Sequence, residues 1–248
     1  MSGFRSKRQW LAVVISVAAI FAASIFSSPA AQAQGRRARR ESNANRKSRI
    51  QRAIEETYTH RYEAFGGGGF LRFRSGEYLQ RNAEVTWATS ATYFLNPKLG
   101  ITADIRGGYG KAKVGDNLYG IANPLITEYT LQGGATYRLY SKQRFAISAT
   151  GLGGVSLGNF DGGSKAIPAP KLGMWATSNR PVITGGVNFD YNLYPNIAFR
   201  VTPTYVGTMF RGNDLNLDGS LGKANGTIQS NVGFNAGVVV RFGKIGKK

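Results

Sequence analysis

The sequence predicts an all-β fold: an eight-stranded antiparallel up-and-down β-barrel that crosses a membrane. Three observations support this prediction: an N-terminal export signal, eight segments in which apolar and polar residues alternate, and a composition with 33 glycines, 26 tyrosines and phenylalanines, and no cysteine in 248 residues. Alternation with a period of two puts one residue type on each face of a strand. Frequent glycine and aromatic residues fit a β-rich membrane protein better than a helical one.

Residues 1–33 have the pattern of a secretory signal peptide. Basic residues within 5–8 precede an apolar run over 10–26, and the small-residue site Ala31-Gln32-Ala33 predicts cleavage after Ala33. The alternative is a retained anchor helix, because the apolar run reaches the lower limit of a membrane span. No later stretch has that apolar length, so residence in a membrane after cleavage requires strands or surface attachment.

Residues 34–61 are predicted to form a basic arm that is partly disordered or contains a short helix over 48–58. Residues 34–62 carry nine Arg and Lys against three Glu. The run Arg36-Arg37-Ala38-Arg39-Arg40 would indicate nucleic acid in a cytosolic protein, but export argues against that partner. The arm either contributes only to solubility or binds anionic lipid head groups or cell-wall polymers.

Eight alternating segments follow, and each has about the length that a tilted membrane strand requires. Trp87 and Tyr93 in the second segment, for example, are predicted to face lipid, with Glu84 and Thr92 on the other face. In the glycine-interrupted first segment the apolar side chains are predicted to face outward and Arg72 inward; these are Phe65, Leu71 and Phe73. Gly66 to Gly69 are predicted to allow close backbone approach or a bend in the wall. The segments lie at 62–74, 84–95, 99–110, 128–140, 145–157, 183–193, 197–205 and 232–242.

The connections between segments alternate in length. Three tight turns lie at 96–98, 141–144 and 194–196, and long polar loops lie near 75–83, 111–127, 158–180 and 210–228. This asymmetry is typical of an outer-membrane barrel with short periplasmic turns and long extracellular loops. The predicted domains are therefore the signal peptide at 1–33, the basic periplasmic arm at 34–61, the barrel at 62–243 and a short basic overhang at 244–248.

Charged residues on the inward faces are predicted to pair inside a narrow lumen. The candidates are Asp104, Arg106, Arg138, Asp190, Arg200 and Arg241. A soluble lipocalin-like barrel is the alternative fold, but its interior is apolar and its exterior polar. Charges on an apolar core side would be costly, so the pattern favours the membrane barrel. An eight-stranded barrel is narrow enough for side chains to fill it.

The closing segment, 232–242, contains Asn235-x-Gly237-x-x-Val240-x-Phe242. With the strand pattern over about residues 60–243, it resembles the bacterial outer-membrane β-barrel family, specifically OmpA-like eight-stranded transmembrane domains. The resemblance implies location in the bacterial outer membrane and reading of these four residues by the barrel assembly machinery. One departure is that residues 243–248 follow the terminal aromatic residue of the motif.

Catalytic and metal-binding patterns are sparse. The chain has one histidine, His60, and no cysteine, so the usual nucleophile constellations cannot be assembled and neither an enzyme activity nor a cofactor is predicted. Asp214, Asn216 and Asp218 begin a calcium-loop pattern, but position twelve is Asn225 rather than Glu. This loop is a weak metal candidate.

The sequence therefore predicts a non-enzymatic, monomeric outer-membrane barrel with a structural or surface-interaction role and a largely closed lumen. Outer-membrane lipid is its expected surrounding. A small-solute or ion pore is the alternative function, and a lipid-modifying enzyme is the second alternative.

Overall fold

The computed structural model describes residues 43–215 and 220–245, with only the backbone described for Asp214 and Leu215. The chain begins there with helix α1 (Asn43–Tyr58), a longer helix than the sequence predicts. Ten strands follow: β1 (His60–Arg74), β2 (Arg81–Phe94), β3 (Leu99–Lys111), β4 (Leu125–Ser141), β5 (Phe145–Gly162), β6 (Ser178–Tyr194), β7 (Ile197–Thr208), β8 (Gly212–Leu215), β9 (Leu221–Asn225) and β10 (Gln229–Lys244). A 3₁₀-helix (Ala169–Leu172) lies between β5 and β6.

Eight of these strands close into an antiparallel barrel in the order β1-β10-β7-β6-β5-β4-β3-β2. Neighbours in the chain are neighbours in the wall, and β10 pairs with β1 to complete the ring. Strands β8 and β9 form a separate hairpin within the last long loop, which the sequence pattern does not reveal. A closed ring pairs the backbone groups of its strands, as a membrane interior requires.

The connections alternate as the sequence predicts. Residues 95–98, 142–144 and 195–196 join strands at one end, here called the turn end, and residues 75–80, 112–124, 163–177 and 209–228 join them at the loop end. Asn96 shapes the first turn because its Oδ1 accepts hydrogen bonds from the backbone N–H groups of Lys98 and Leu99 at 2.9 and 2.8 Å. Among the helices of the described ranges, none has the length and apolar character needed to cross a membrane.

The outer wall is apolar and the lumen is mainly polar. Exposed apolar side chains point outward from every strand of the barrel, whereas the buried set contains many Thr, Asn, Asp, Glu and Arg residues. A soluble lipocalin-like barrel would show the opposite arrangement, so that alternative is wrong. Aromatic side chains lie outward near both ends of the wall, as in interface girdles; examples are Tyr93, Tyr109, Tyr129, Tyr191, Tyr205 and Phe242.

The predicted facing of the first segment is wrong. Phe65, Leu71 and Phe73 are buried inside the barrel, whereas Arg72 and Arg74 point outward. The reason is that the lumen contains apolar regions at this strand, so an apolar side chain there does not indicate lipid. Phe65 packs with Ala88, Ala198 and Val239 in the lumen, and Leu71 and Phe73 belong to a larger apolar cluster at the loop end.

Glycines on the inner side of the β1–β10 seam allow the ring to close tightly. A Cβ atom at Gly67 or Gly69 would overlap the carbonyl oxygens of Ala236 and Phe234 in β10, and a Cβ atom at Gly237 would overlap the oxygen of Gly66. The close approach predicted for the glycine run is therefore present, and it involves residues of both seam strands.

We expect Gly69→Ala to destabilise the barrel by about 1–3 kcal/mol, because the added methyl group overlaps backbone that must then move. Gly66→Ala is the matched control, since a Cβ atom at Gly66 has no heavy atom within 4 Å. Urea unfolding of refolded protein, followed by the loss of heat-modifiable gel mobility, measures both variants. Equal effects of the two substitutions would contradict the seam argument.

Candidate functional site: the lumen and its two closures

The polar side chains at the turn end form a cluster of ion pairs between five strands. It consists of Glu63, Arg138, Asp190, Arg200 and Arg241, all almost fully buried, and is called here the turn-end ion cluster. Asp190 accepts hydrogen bonds from Nε of Arg200 at 2.6 Å and from a terminal nitrogen of Arg241 at 2.8 Å. Buried charges of this kind require paired partners, and the two acids hold three arginines.

Glu63 lies at the centre of this cluster. One carboxylate oxygen pairs with Arg200, and the other lies 3.0 Å from Nε of Arg241 and 3.7 Å from a terminal nitrogen of Arg138. The sequence prediction omitted Glu63 because it placed the neighbouring odd-numbered side chains of β1 outward. The signal that could have placed it inward is its charge, because a carboxylate on the lipid face of a membrane strand is destabilising.

Tyr58, the last residue of α1, closes the turn end beneath the ion cluster. Its hydroxyl donates to the backbone oxygen of Lys142 and accepts from Nδ2 of Asn192, both at 2.7 Å. The guanidinium groups of Arg138 and Arg241 lie over its ring, 4.8 and 5.7 Å from the centroid. Burial raises the pKa of the Tyr58 hydroxyl above its ordinary value, so the hydroxyl remains protonated at neutral pH and keeps its donor.

The middle of the lumen contains one further ion pair and a belt of hydroxyl groups. Nε of Arg106 lies 2.6 Å from Oδ1 of Asp104, which brings together two residues that the sequence singled out. Hydroxyl and amide groups are linked across six neighbouring strands by hydrogen bonds of 2.7–3.0 Å; the residues are Thr92, Thr102, Thr136, Thr150, Asn188 and Thr202. The cavity beside this belt has a volume of about 30 Å³, enough for about two water molecules.

The loop end of the lumen is closed by apolar side chains, which the sequence did not predict. Phe160 and Phe210 have ring centroids 5.0 Å apart, and both pack against Phe73. The loops contribute as well, because Trp175 is buried and its Nε1 donates to the backbone oxygen of Arg74 at 2.7 Å. The whole set, here called the loop-end apolar cluster, comprises Leu71, Phe73, Ala112, Ile121, Ile126, Phe160, Ala169, Leu172, Met174, Trp175, Val182, Val206 and Phe210.

Gln229, at the start of β10, fixes Phe210 in this cluster. Its side-chain oxygen accepts from the backbone N–H of Phe210 at 2.8 Å, and its side-chain nitrogen donates to the backbone oxygen of Phe210 at 2.9 Å. These two hydrogen bonds satisfy the backbone N–H and C=O groups of Phe210, which lies outside the strands of the barrel. The last long loop is therefore held inward over the lumen.

The predicted assembly motif lies on β10 at the seam. Oδ1 of Asn235 accepts a hydrogen bond from Thr86 at 3.0 Å, Gly237 faces Gly67, and Phe242 stacks on Tyr62 with centroids 5.5 Å apart. Val240 is exposed on the outer wall. These positions explain how the motif stabilises the closed ring, and its reading by assembly machinery stays a prediction.

The remaining predicted sites lie near the barrel ends. Nδ1 of His60 is 3.1 Å from the backbone oxygen of Thr57 at the junction of α1 and β1. The side chains of the calcium candidates Asp214, Asn216 and Asp218 lie outside the described residues. Within the described part of the chain, no three His, Asp or Glu side chains are grouped closely enough to bind a metal ion together.

We expect Glu63→Gln to destabilise the barrel by about 3–5 kcal/mol, because it leaves three buried arginines facing a single acid. Arg138→Gln should cost less, since two acids and two arginines then remain in balance. Urea unfolding in detergent measures both variants. Glu56→Gln is the control, because Glu56 is exposed on α1; a loss at Glu63 no larger than at Glu56 would show that the ion cluster contributes little.

No protein-family model matches the sequence, and comparison with curated proteins gives no significant match. Several solved structures resemble the fold. The outer membrane protein OprG from Pseudomonas aeruginosa has a TM-score of 0.55 and 12% identity, over 75% of this chain and 97% of that chain. Neisserial surface protein A has a TM-score of 0.48 and 16% identity, and Ail, the attachment invasion locus protein of Yersinia pestis, has 0.44 and 15%; each alignment covers 73% of this chain and 97% of the other.

At these identities the likeness shows the fold, and OprG supplies the argument because its TM-score is the highest of the three. The closed ring, the lipid-facing apolar wall and the polar lumen agree with that likeness. The chain thus has the fold of the eight-stranded transmembrane β-barrels of the bacterial outer membrane.

Proposed function

We propose that the protein is a closed, non-enzymatic outer-membrane barrel whose extracellular loops form its interaction surface. The observation that carries this proposal is that side chains fill the lumen at both ends. The turn-end ion cluster and Tyr58 fill the periplasmic end, and the loop-end apolar cluster fills the extracellular end. Two lumenal cavities lie between these closures, each about 30 Å³, too small for solutes larger than water.

The extracellular loops support an interaction role because hydrogen bonds fix their shape. Oδ1 of Asp161 accepts from the backbone N–H of Ala169 at 2.8 Å, and its Oδ2 accepts from Thr177 at 2.6 Å. Asn117 forms four hydrogen bonds to the backbone of residues 115–121. Loops held in one conformation lose little entropy when they bind a partner.

Large apolar side chains are exposed on two of the long loops. Tyr78 is 86% exposed and Leu118 is fully exposed, both beyond the ends of the strands. Aromatic and apolar side chains at loop tips belong to binding surfaces more often than single exposed side chains on a strand wall do. The loop surface therefore favours a macromolecular partner or the surrounding lipid over a small transported solute.

We expect refolded wild-type protein to show no stable conductance steps in a planar lipid bilayer, because both ends of the lumen are filled. Comparison with Arg200→Gln distinguishes conduction through the lumen from leak caused by poor insertion, because only conduction through the lumen depends on this lumenal side chain. Stable steps in the wild type that change in size in Arg200→Gln would establish a conducting lumen and support the ion-pore alternative instead.

A second feature supports a role for the basic arm at the periplasmic surface. Arg46, Lys47 and Arg52 are exposed on α1, and Tyr58 attaches the end of this helix to the barrel. Because the barrel is fixed in the membrane, these cations stay near the inner-leaflet head groups. We propose that the arm binds anionic lipid head groups, since each basic residue near such a surface contributes about 1 kcal/mol.

This proposal predicts that the barrel in neutral nanodiscs binds anionic vesicles more strongly than neutral vesicles, with an affinity that falls as salt increases. Replacing Arg46, Lys47 and Arg52 by Gln should weaken this binding severalfold. The charge-conserving control, Arg46→Lys with Arg52→Lys, should retain it. Equal binding to both vesicle types would contradict the proposal and leave cell-wall polymers as the alternative partner.

A further inference from the structure

Two acids in the upper lumen have no cationic partner. Glu84 on β2 and Glu128 on β4 are 1% and 3% exposed, and Glu84 pairs in register with Leu71 of the loop-end apolar cluster. Among the ion pairs of the described residues, neither acid takes part, and the nearest lumenal arginine along β3, Arg106, is paired with Asp104. A buried carboxylate without a partner is costly, so these two residues require an explanation that the ion cluster does not supply.

Glycines on β3 allow the two acids to approach each other across that strand. Gly108 pairs in register with Glu128. A Cβ atom at Gly108 would lie 2.9 Å from Oε2 of Glu84 and 3.9 Å from the backbone oxygen of Glu128, and a Cβ atom at Gly110 would lie 2.5 Å from Cγ of Glu84. The Glu84 side chain therefore lies over β3, in space that the glycines leave open, and extends toward β4, the strand that carries Glu128.

Each acid uses one carboxylate oxygen and leaves the other without a partner. Oε1 of Glu84 accepts from Nδ2 of Asn82 at 3.4 Å, and Oε1 of Glu128 accepts from the hydroxyl of Ser156 at 2.5 Å. Oε2 of Glu84, Oε2 of Glu128 and Oδ1 of Asn82 are buried without a hydrogen-bond partner. All three of these atoms are oxygen acceptors, and buried acceptors are rarely left unsatisfied.

We propose that Glu84 and Glu128 bind one divalent cation, with Ca²⁺ as the ion that fits best, inside the extracellular half of the lumen. Two carboxylates balance a charge of two, and carboxylate and amide oxygens are the ligands that hard cations prefer. The site has no third carboxylate, so Asn82 and water in the adjacent 30 Å³ cavity, which Glu128 lines, complete the coordination. Ca²⁺ tolerates irregular geometry and mixed carboxylate binding, whereas Mg²⁺ requires a regular octahedron.

Such an ion would connect β2 to β4 through the lumen and remove the repulsion between the two acids. Leu71 pairs in register with Glu84, and Leu71 and Val206 of the loop-end apolar cluster line the same cavity as Glu128, so the ion would stabilise the loop-end half of the barrel. The turn-end ion cluster, which contains its own counter-charges, would be unaffected.

The test uses the full refolded barrel in detergent, stripped with EDTA and titrated with CaCl₂ by calorimetry, with the thermal midpoint of heat-modifiable mobility measured in parallel. We expect one Ca²⁺ per chain at this site and a higher thermal midpoint in Ca²⁺ than in EDTA. Glu84→Gln with Glu128→Gln should lose this binding and its thermal shift, while keeping at least the wild-type midpoint in EDTA because the repulsion is gone.

The matched control is Asp214→Asn with Asp218→Asn in the last extracellular loop, which removes the other calcium candidate of the chain and should leave the lumenal binding intact. Wild-type protein without calorimetric binding and without a thermal shift would overturn the proposal, whether or not the variants fold. Binding that persists in the Glu84 and Glu128 variant but disappears in the loop control would overturn it as well, by assigning the ion to the loop.

Discussion

Closure of the ring between β1 and β10 is the constraint on which the rest of the structure depends. An open sheet edge in lipid would leave backbone groups unpaired, at a cost of several kcal/mol each. The seam avoids this cost by pairing twelve residues of β1 with β10, and it does so where glycines replace inward side chains. The resulting lumen is narrow, so each inward side chain must pack against another side chain, form an ion pair or hydrogen bond, or contact trapped water.

The two ends of the lumen meet this requirement by different physical means. At the turn end, two acids and three arginines from β1, β4, β6, β7 and β10 form ion pairs, and the side-chain oxygen of Asn192 accepts a further hydrogen bond from Arg241. At the loop end, loops fold inward and bury phenylalanine and tryptophan side chains. A buried ion pair contributes little net stability, because the cost of desolvating its charges offsets their attraction, whereas apolar burial contributes about 25 cal/mol per Å². The two closures therefore differ in kind as well as in position.

The wall could be predicted from the sequence because lipid imposes one rule on every outward position. Trp87 and Tyr93, for instance, alternate with Glu84 and Thr92, and the structure places all four as predicted. The rule fails at Phe65 and Phe73 because the lumen is not uniformly polar, so an apolar residue there has two possible surroundings. Gly66 to Gly69 lie between these positions and provide no facing information. The contact of Trp175 with Arg74 joins residues 101 positions apart, and no local pattern contains it.

The turn-end ion cluster has a consequence for the fidelity of closure. Glu63 belongs to the first strand and Arg241 to the last, and they are direct neighbours in the seam register. A slip of one residue between these strands reverses the facing of one strand relative to the other, which would move a charged side chain from the lumen into lipid and leave its partners unpaired. The glycine row alone would tolerate several alignments. The pair of Glu63 and Arg241 makes one alignment of β1 and β10 far less costly than the alignments shifted by one residue. The cluster therefore selects the register in which the barrel closes.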